Sequence, residues 1–183
     1  MPVTPRIVVV GVGNSFRHDD GVGWAVVDRL AERAAGRSLP PGTALETCDG
    51  EPARLLGLWE NAGLAVVLDA AHAHPPRPGR VHRLVLDAAR LPRTGSTSSH
   101  GLGLGEAVEL SRALDRLPDR LVVYAVEGSD QSLGTGLSAP VAARVDELAR
   151  SVEEEILRYR AREAPDDPED DGCEDVPGAE DGP

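Results

Sequence analysis

The sequence contains no lysine, so its 19 basic residues are all arginines. This absence excludes the phosphate-binding loop of P-loop nucleoside triphosphatases, which requires a lysine beside its glycines. Aromatic residues make up only 3% of the chain, so we expect a core of valine, leucine and alanine. The cysteines, Cys48 and Cys173, form no Cys-x-x-Cys pair, which argues against a disulfide framework and against a thiolate metal site.

Basic residues are too few to balance the 31 acidic ones, and the formal net charge is −12. Residues 163–183 carry ten acidic and no basic side chains, so residues 1–162 are close to neutral. A near-neutral body lacks the basic surface that nucleic-acid binding requires. We therefore predict one domain over residues 1–162 and a disordered acidic tail over 163–183. Because no leader and no apolar run of membrane length occurs, we expect a cytoplasmic protein with no membrane partner.

Apolar runs typical of strands alternate with helical patterns along the chain. We predict strands over residues 7–12, 44–48, 63–68, 81–86 and 121–126, and helices over 20–35, from 51, over 102–117 and over 139–160. This alternation is typical of an α/β fold in three layers, a mostly parallel five-stranded twisted sheet with helices on both faces. The link before the fourth strand is too short for a crossover helix, so this strand should be antiparallel and at an edge.

The segment Gly11–Gly23 joins the first predicted strand to the first helix and contains two adjacent carboxylates, Asp19 and Asp20. In an open α/β sheet this turn lies at the carboxyl edge of the strands, where ligands bind. A helix cap accounts for one aspartate, but adjacent carboxylates repel each other unless a cation or proton lies between them. We therefore expect one of the pair to be functional. The dinucleotide fingerprint fails here, because Phe16 replaces its third glycine and the acids would repel a phosphate.

Further polar residues follow other predicted strands or precede the next helix. If the strands run as predicted, Asp20, Asp69 and His100 meet at one sheet edge. Two carboxylates and one imidazole form a mixed ligand set that suits zinc or nickel and leaves an open coordination position. The sequence thus indicates a candidate metal-contacting site at this edge.

Other polar candidates have simpler structural interpretations. Asp49 lies at the same edge, but a plain turn is its favoured interpretation. Glu127 closes the fifth predicted strand there and has the alternative of pairing with an arginine. The histidines at positions 18, 72 and 74 are expected to be solvated.

Four motifs, in this order along the chain, resemble those of the hydrogenase maturation proteases, the endopeptidases that trim the C-terminal extension of the nickel–iron hydrogenase large subunit. They are G-V-G-N-x-x-x-x-D-D-G-x-G at 11–23, V-V-L-D at 66–69, S-H-G-L-G-L at 99–104 and V-E-G…G-T-G-L-S at 126–138. The resemblance covers residues 5–158 and implies an α/β fold with a mostly parallel five-stranded sheet. It also implies that Asp20, Asp69 and His100 form a nickel-contacting triad, the same positions that the strand ends indicate.

The activity implied by this resemblance is that of an aspartic or metal-dependent endopeptidase. Its partner would be the [NiFe]-hydrogenase large-subunit precursor, and the nickel already carried by that precursor would be the recognition element; zinc or another divalent ion is an alternative. Asp20 or Asp69 would double as the base that activates water. A non-catalytic nickel-binding maturation chaperone and a related peptidase with a non-hydrogenase substrate stay open as other functions.

One motif departs from the resemblance. Many members of the family have D-G-G-T after the second strand, whereas this chain has D-G-E-P at residues 49–52. Because this loop is expected to touch the substrate, the departure bears on which hydrogenase is served. The four motifs together with this departure resemble the branch of the family that serves bidirectional NAD-linked hydrogenases.

Overall fold

The computed structural model describes residues 6–87 and 102–163, and within them a sheet flanked by helices. The strands are β1 (Arg6–Val12), β2 (Thr43–Cys48), β3 (Ala62–Ala71), β4 (Val81–Asp87) and β5 (Arg120–Glu127). The helices are α1 (Val22–Gly36), α2 (Pro52–Trp59), α3 (Leu102–Ala113), α4 (Ala139–Ala142) and α5 (Val145–Glu163), and a short 3₁₀ turn over His18–Gly21 precedes α1. Within the described ranges, no helix is long and apolar enough to cross a membrane.

The strands form one sheet in the order β2-β1-β3-β5-β4. β1 pairs in parallel with β2 and β3, β3 pairs in parallel with β5, and β4 runs antiparallel to β5 at the edge. The predicted fold class, the antiparallel fourth strand and its edge position are therefore confirmed. Because β1, β2, β3 and β5 are parallel, their carboxyl ends lie at one edge of the sheet.

The sheet separates two apolar layers, as its continuous apolar strands predict. One layer packs α1 and α5 against the face that carries Ile7, Val9 and Val66. The other packs α2 and α3 against the face that carries Val8 and Val67. Aliphatic side chains fill most of both layers, in agreement with the low aromatic content.

Two glycines bring α1 unusually close to the sheet. A Cβ atom at Gly23 would lie 2.4 Å from the carbonyl oxygen of Leu68 and 2.7 Å from that of Val12. A Cβ at Gly11 would lie 2.4 Å from the carbonyl oxygen of Gly23. Since real Cβ atoms do not approach so closely, only glycine permits this packing. It sets the N-terminus of α1 directly beside the carboxyl ends of β1 and β3.

The structure corrects three predicted helix boundaries. The first helix does not begin at Asp20, because Asp20 belongs to the 3₁₀ turn. The third ends at Ala113, and Asp115 has the left-handed φ of 54° that is typical of a helix terminus. Leu114, inside the predicted helix over 102–117, therefore lies beyond the end of α3 and is exposed.

The predicted helix over 139–160 is two helices, α4 and α5, with residues 143 and 144 between them. The break coincides with a contact that holds α4 against the loop before β4. There Arg144 Nε donates to the carbonyl oxygen of Gly79 at 3.0 Å. A Cβ at Gly79 would lie 2.5 Å from the carbonyl oxygen of Pro140, so the loop and α4 touch through their backbones. Apart from Glu163, the predicted acidic tail lies outside the described residues.

Candidate functional site

Asp69 lies at the carboxyl edge of the sheet, inside β3 rather than after it as predicted. β3 continues to Ala71 in register with β5, where Asp69 pairs with Ala125. On its other side, the pairing of β1 with β3 ends where Gly11 meets Leu68. Asp69 is thus the first residue of β3 beyond the end of its β1 pairing. At this position a strand still fixes the backbone, while the neighbouring strand no longer extends alongside it.

Asp20 is held by the backbone of the 3₁₀ turn. Its amide donates to the carbonyl oxygen of Arg17 at 3.0 Å, and its carbonyl oxygen accepts from the amide of Asn14 at 3.3 Å. Gly13 has a φ of 127°, and a Cβ there would lie 1.9 Å from the Asp20 carbonyl oxygen. The turn therefore requires a glycine at position 13, and it fixes the backbone from which the half-buried Asp20 carboxylate projects.

The charge of Asp20 acts on the carboxyl group of Asp69. Burial raises the pKa of Asp69 to about 6, the amide of Ala70 opposes this shift, and the negative charge of Asp20 adds to it. Among the described residues, no arginine or histidine forms an ion pair with either carboxylate. Two neighbouring carboxylates without a basic partner favour a cation or a shared proton between them.

The third predicted member, His100, lies outside the described residues. Within those residues, no group of three His, Cys, Asp or Glu side chains is placed to hold a metal ion. Asp69 and Leu104 of α3 both line a cleft of about 430 Å³. The start of α3, which follows His100 in the chain, therefore lies on the same side of the sheet edge as Asp69.

Asp19, the neighbour of Asp20, is fully buried and has an evident structural role. Its Oδ2 accepts hydrogen bonds from the amides of Ser129 and Asp130, at 2.9 and 3.1 Å, and from the hydroxyl of Ser138 at 2.9 Å. Its Oδ1 accepts from the amide of Ser138 at 2.7 Å. Burial acts to raise the pKa of Asp19, but these hydrogen bonds outweigh it and hold the pKa below its usual value.

The loop over residues 128–138 thus encloses the turn between β1 and α1, and His18 belongs to this enclosure. His18 was predicted to be solvated, but its ring is half-buried against the loop. Its Nδ1 lies 2.9 Å from the carbonyl oxygen of Gly136, and its amide donates to that of Gly134 at 3.1 Å. A Cβ at Gly134 would lie 2.3 Å from the imidazole Nε2. The sequence signal for this contact is the pair of glycines at 134 and 136, which lets the loop lie against a ring.

Glu127 is buried at the end of β5 and is a structural residue. Its Oε1 lies 2.7 Å from His82 Nε2 and its Oε2 accepts from the amide of Arg77 at 2.8 Å. The hydrogen bond with His82, then that from Arg77, lowers the pKa of Glu127. The predicted alternative, an arginine partner, is present only as a long ion pair, since Arg80 Nη1 lies 3.9 Å from Glu127 Oε1.

The other candidates behave as their structural interpretations predict. Asp49 is exposed, and its Oδ1 accepts from the amide of Glu51 at 3.3 Å in a local turn. His72 and His74 are exposed. Cys48 is buried, and burial followed by the charges of nearby acids raises the pKa of its thiol, which disfavours a thiolate ligand.

The chain resembles known proteins in both sequence and fold. It is 28% identical over 151 residues to the hydrogenase 2 maturation protease of Escherichia coli K12, across 80% of this chain and 88% of that protein. Its fold matches the hydrogenase maturating endopeptidase HybD from E. coli with a TM-score of 0.66 and 26% identity, over 84% of this chain and 93% of that one. It also matches a [NiFe] hydrogenase maturation protease HycI from Thermococcus kodakarensis with a TM-score of 0.57 and 25% identity, over 84% and 93%.

The family comparison covers most of the helices and strands that build the site. Residues 29–155 match the family model described as hydrogenase maturation protease. This range includes Asp69 on β3, α3 and the loop that encloses Asp19, while Asp20 precedes it. The chain therefore belongs to the hydrogenase maturation protease family, and it is a hydrolase of the endopeptidase type.

Proposed function

We propose that this protein removes the C-terminal extension from a nickel-loaded [NiFe]-hydrogenase large-subunit precursor. Nickel is then part of the substrate, and Asp20, Asp69 and His100 are the residues that contact it. The observation that carries this proposal is the pair formed by Asp20 and Asp69. These carboxylates lie at the carboxyl edge of the sheet, the charge of Asp20 makes Asp69 harder to ionise, and neither has a basic partner among the described residues.

The chemistry of the pair supports a divalent cation. Carboxylate oxygens ligate nickel and zinc when an imidazole completes the set, and three protein ligands leave room for groups from the substrate. Burial is the main reason that the pKa of Asp69 is raised, and a cation that enters between Asp20 and Asp69 removes the repulsion that adds to this shift. The pair is therefore disposed to accept an ion that another protein brings to it.

The chain connectivity supports His100 as the third contact. Leu104 lines the same cleft as Asp69, and His100 precedes Leu104 by four residues. Four residues of fully extended chain span at most about 14 Å. This short connection supports our choice of His100 as the third residue that contacts the ion.

Peptide cleavage requires a polarised carbonyl and a base for the attacking water. The cation of the substrate supplies the polarisation, and Asp20 or Asp69 accepts the proton of the water. In the protein without the cation, Asp69 has a pKa of about 6 and is ionised at neutral pH, so it is able to ligate the cation or to accept a proton. An aspartate and metal-assisted mechanism therefore accounts for the site better than a serine or cysteine nucleophile.

The identity of the hydrogenase is proposed from the loop over residues 49–52. Glu51 caps α2 there, because its carboxylate accepts from the amides of Ala53 and Arg54 at 3.0 and 2.8 Å. Asp49 is left exposed after the carboxyl end of β2. We propose that this loop meets the precursor and that the protein serves a cytoplasmic, bidirectional NAD-linked hydrogenase.

The decisive experiment compares nickel-loaded with nickel-free precursor. Each is incubated with the protein, and the products are identified by intact mass. We expect a shortened large subunit from the nickel-loaded precursor alone. Asp69→Asn and His100→Ala should abolish shortening, while Asp28→Asn, an exposed carboxylate on α1, serves as the matched control and should leave it unchanged.

Two other outcomes identify the alternative functions. Stoichiometric binding of nickel-loaded precursor without any shortened product would indicate a nickel-binding maturation chaperone. Equal cleavage of nickel-free precursor, or of a protein without nickel ligands, would indicate a peptidase that does not read the metal. Normal processing by Asp69→Asn and His100→Ala would contradict the assignment of these residues.

A further inference from the structure

Two large apolar side chains project from the surface beside the candidate site. Phe16 is the only phenylalanine of the chain and is 67% exposed, and Leu133 is 79% exposed. Among the described residues, these are the two most exposed large hydrophobic side chains; Leu114 follows at 51%. We call Phe16 and Leu133 the apolar pair.

The backbone that carries the apolar pair is fixed by hydrogen bonds. The amide of Gly134, next to Leu133, donates to the carbonyl oxygen of Phe16 at 3.0 Å. The amide of Phe16 donates to the side chain of Asn14 at 2.9 Å, and Arg17 forms a bridge with Gly134. The two side chains therefore extend from neighbouring, mutually bonded segments. A surface already held in shape loses little conformational entropy when a partner covers it.

The segments that carry the apolar pair belong to the carboxyl edge that holds the aspartates. Phe16 precedes Asp20 by four residues, and Leu133 lies in the loop over residues 128–138 that holds Asp19. A protein whose scissile segment reaches Asp20 and Asp69 has to approach this same edge. Exposed apolar residues on neighbouring segments are typical of protein-binding surfaces, and phenylalanine is among the residues enriched there.

From this position and exposure we infer that the apolar pair is the docking surface for the folded body of the precursor protein. It would contact an apolar patch of that protein close to the segment that is cut. This inference rests on the proposed function for the identity of the partner. It assigns precursor binding to the apolar pair and cleavage to the carboxylates. The apolar pair should therefore affect the dissociation constant of the precursor and leave kcat unchanged.

The test uses the double variant Phe16→Ser/Leu133→Ser in the full chain. Both side chains are exposed, so the variant should fold and melt like the wild type. We expect the dissociation constant for nickel-loaded precursor to rise at least tenfold and kcat/KM to fall by a similar factor. The kcat at saturating precursor should stay within twofold of wild type. Leu157→Ser on α5, where the leucine is 48% exposed, is the matched control and should change neither quantity.

Each outcome decides the inference. Wild-type binding and kcat/KM in the double variant would overturn it, and so would a loss of kcat at saturation with unchanged affinity. If the wild-type protein self-associates and the double variant is monomeric, with precursor binding unaffected, a second copy covers the apolar pair and the inference is wrong. If wild-type protein binds the precursor without shortening it, the proposed cleavage fails, while the affinities still decide the docking surface.

Discussion

Asp19 and Asp20 are neighbours in the sequence, yet they lie in opposite environments. Asp19 is fully buried, and five hydrogen bonds from the loop over residues 128–138 surround its carboxylate. Asp20 is half-buried and has no basic partner among the described residues, and its charge adds to the rise that burial causes in the pKa of Asp69. The protein itself supplies the hydrogen-bond donors for the carboxylate of Asp19. It supplies no basic partner for Asp20 or Asp69 among the described residues. The number of donors around a carboxylate thus separates the structural Asp19 from Asp20, which we propose as a functional residue.

The largest expected effect concerns the carboxylates that lack a basic partner, and Asp69 in particular. Asp69→Asn should lower the rate of precursor shortening by about 10² to 10⁴-fold, the usual contribution of an acid–base group. The fold should persist, since no hydrogen bond from another side chain depends on Asp69 in the described part of the protein. The measurement is single-turnover processing followed by mass, with circular dichroism to verify folding. A variant that retains more than about a tenth of the rate would remove Asp69 from the mechanism.

Substitution of the enclosed Asp19 should lower the free energy of unfolding instead. Asp19→Ala removes five hydrogen bonds and leaves the amides and hydroxyls of the enclosing loop without an acceptor. We expect a loss of about 3 to 5 kcal/mol in the free energy of unfolding. Chemical denaturation at pH 7 measures this loss, and Asp28→Asn provides the exposed control. Because the folded-state pKa of Asp19 is lowered, the stabilisation is present above the unfolded pKa and disappears as the pH falls through the folded value.

Asp69 should show the reverse dependence on pH. Its folded-state pKa of about 6 lies above the ordinary value of 3.8, so the folded protein holds this proton longer than the unfolded chain. Ionisation then costs stability progressively between about pH 4 and pH 6, and the cost stays above pH 6. Asp69→Asn should therefore be more stable than wild type at pH 7, by up to about 3 kcal/mol, and equal to it near pH 3. Denaturation curves across this range test the sign; a less stable Asp69→Asn at pH 7 would contradict it.

The smallest effect concerns the electrostatic coupling between Asp20 and Asp69. Asp20→Asn should lower the pKa of Asp69, because it removes the repulsion that contributes to the shift. Burial is the larger cause of the shift, so the pKa should stay above its ordinary value. A carboxyl-carbon NMR titration of Asp69 in both proteins measures the change. An unchanged pKa would show that the two side chains do not share an electrostatic environment.

The sheet was predictable from sequence because its signals are local and strong. Uninterrupted apolar runs such as Leu64–Leu68 of β3 identify buried strands, and a short link without a helix forces β4 to be antiparallel. Asp69 was predictable as an edge residue for the same reason, although the strand runs on to Ala71. Here pairing with β5 extends the strand beyond the apolar run, and a single strand's sequence carries no trace of its partner's length.

The sequence was less informative where distant segments meet. Nothing near Asp19 indicates that Ser138, 119 residues later, donates to it twice. The enclosure of His18 and the break between α4 and α5 at Arg144 depend in the same way on loops far along the chain. Such contacts are set by the tertiary fold. Local patterns therefore did not show which of Asp19 and Asp20 is structural, and they did not distinguish one long helix from two.

The enclosure of Asp19 has a consequence for synthesis of the protein on the ribosome. The donors that fix the first turn are among the later residues made, since Ser138 must emerge before they are complete. A nascent chain that ends before this residue has β1 and both aspartates but lacks the framework that orients them. We therefore expect the turn that carries Asp19 and Asp20 to take its final shape only after the loop over residues 128–138 has been made.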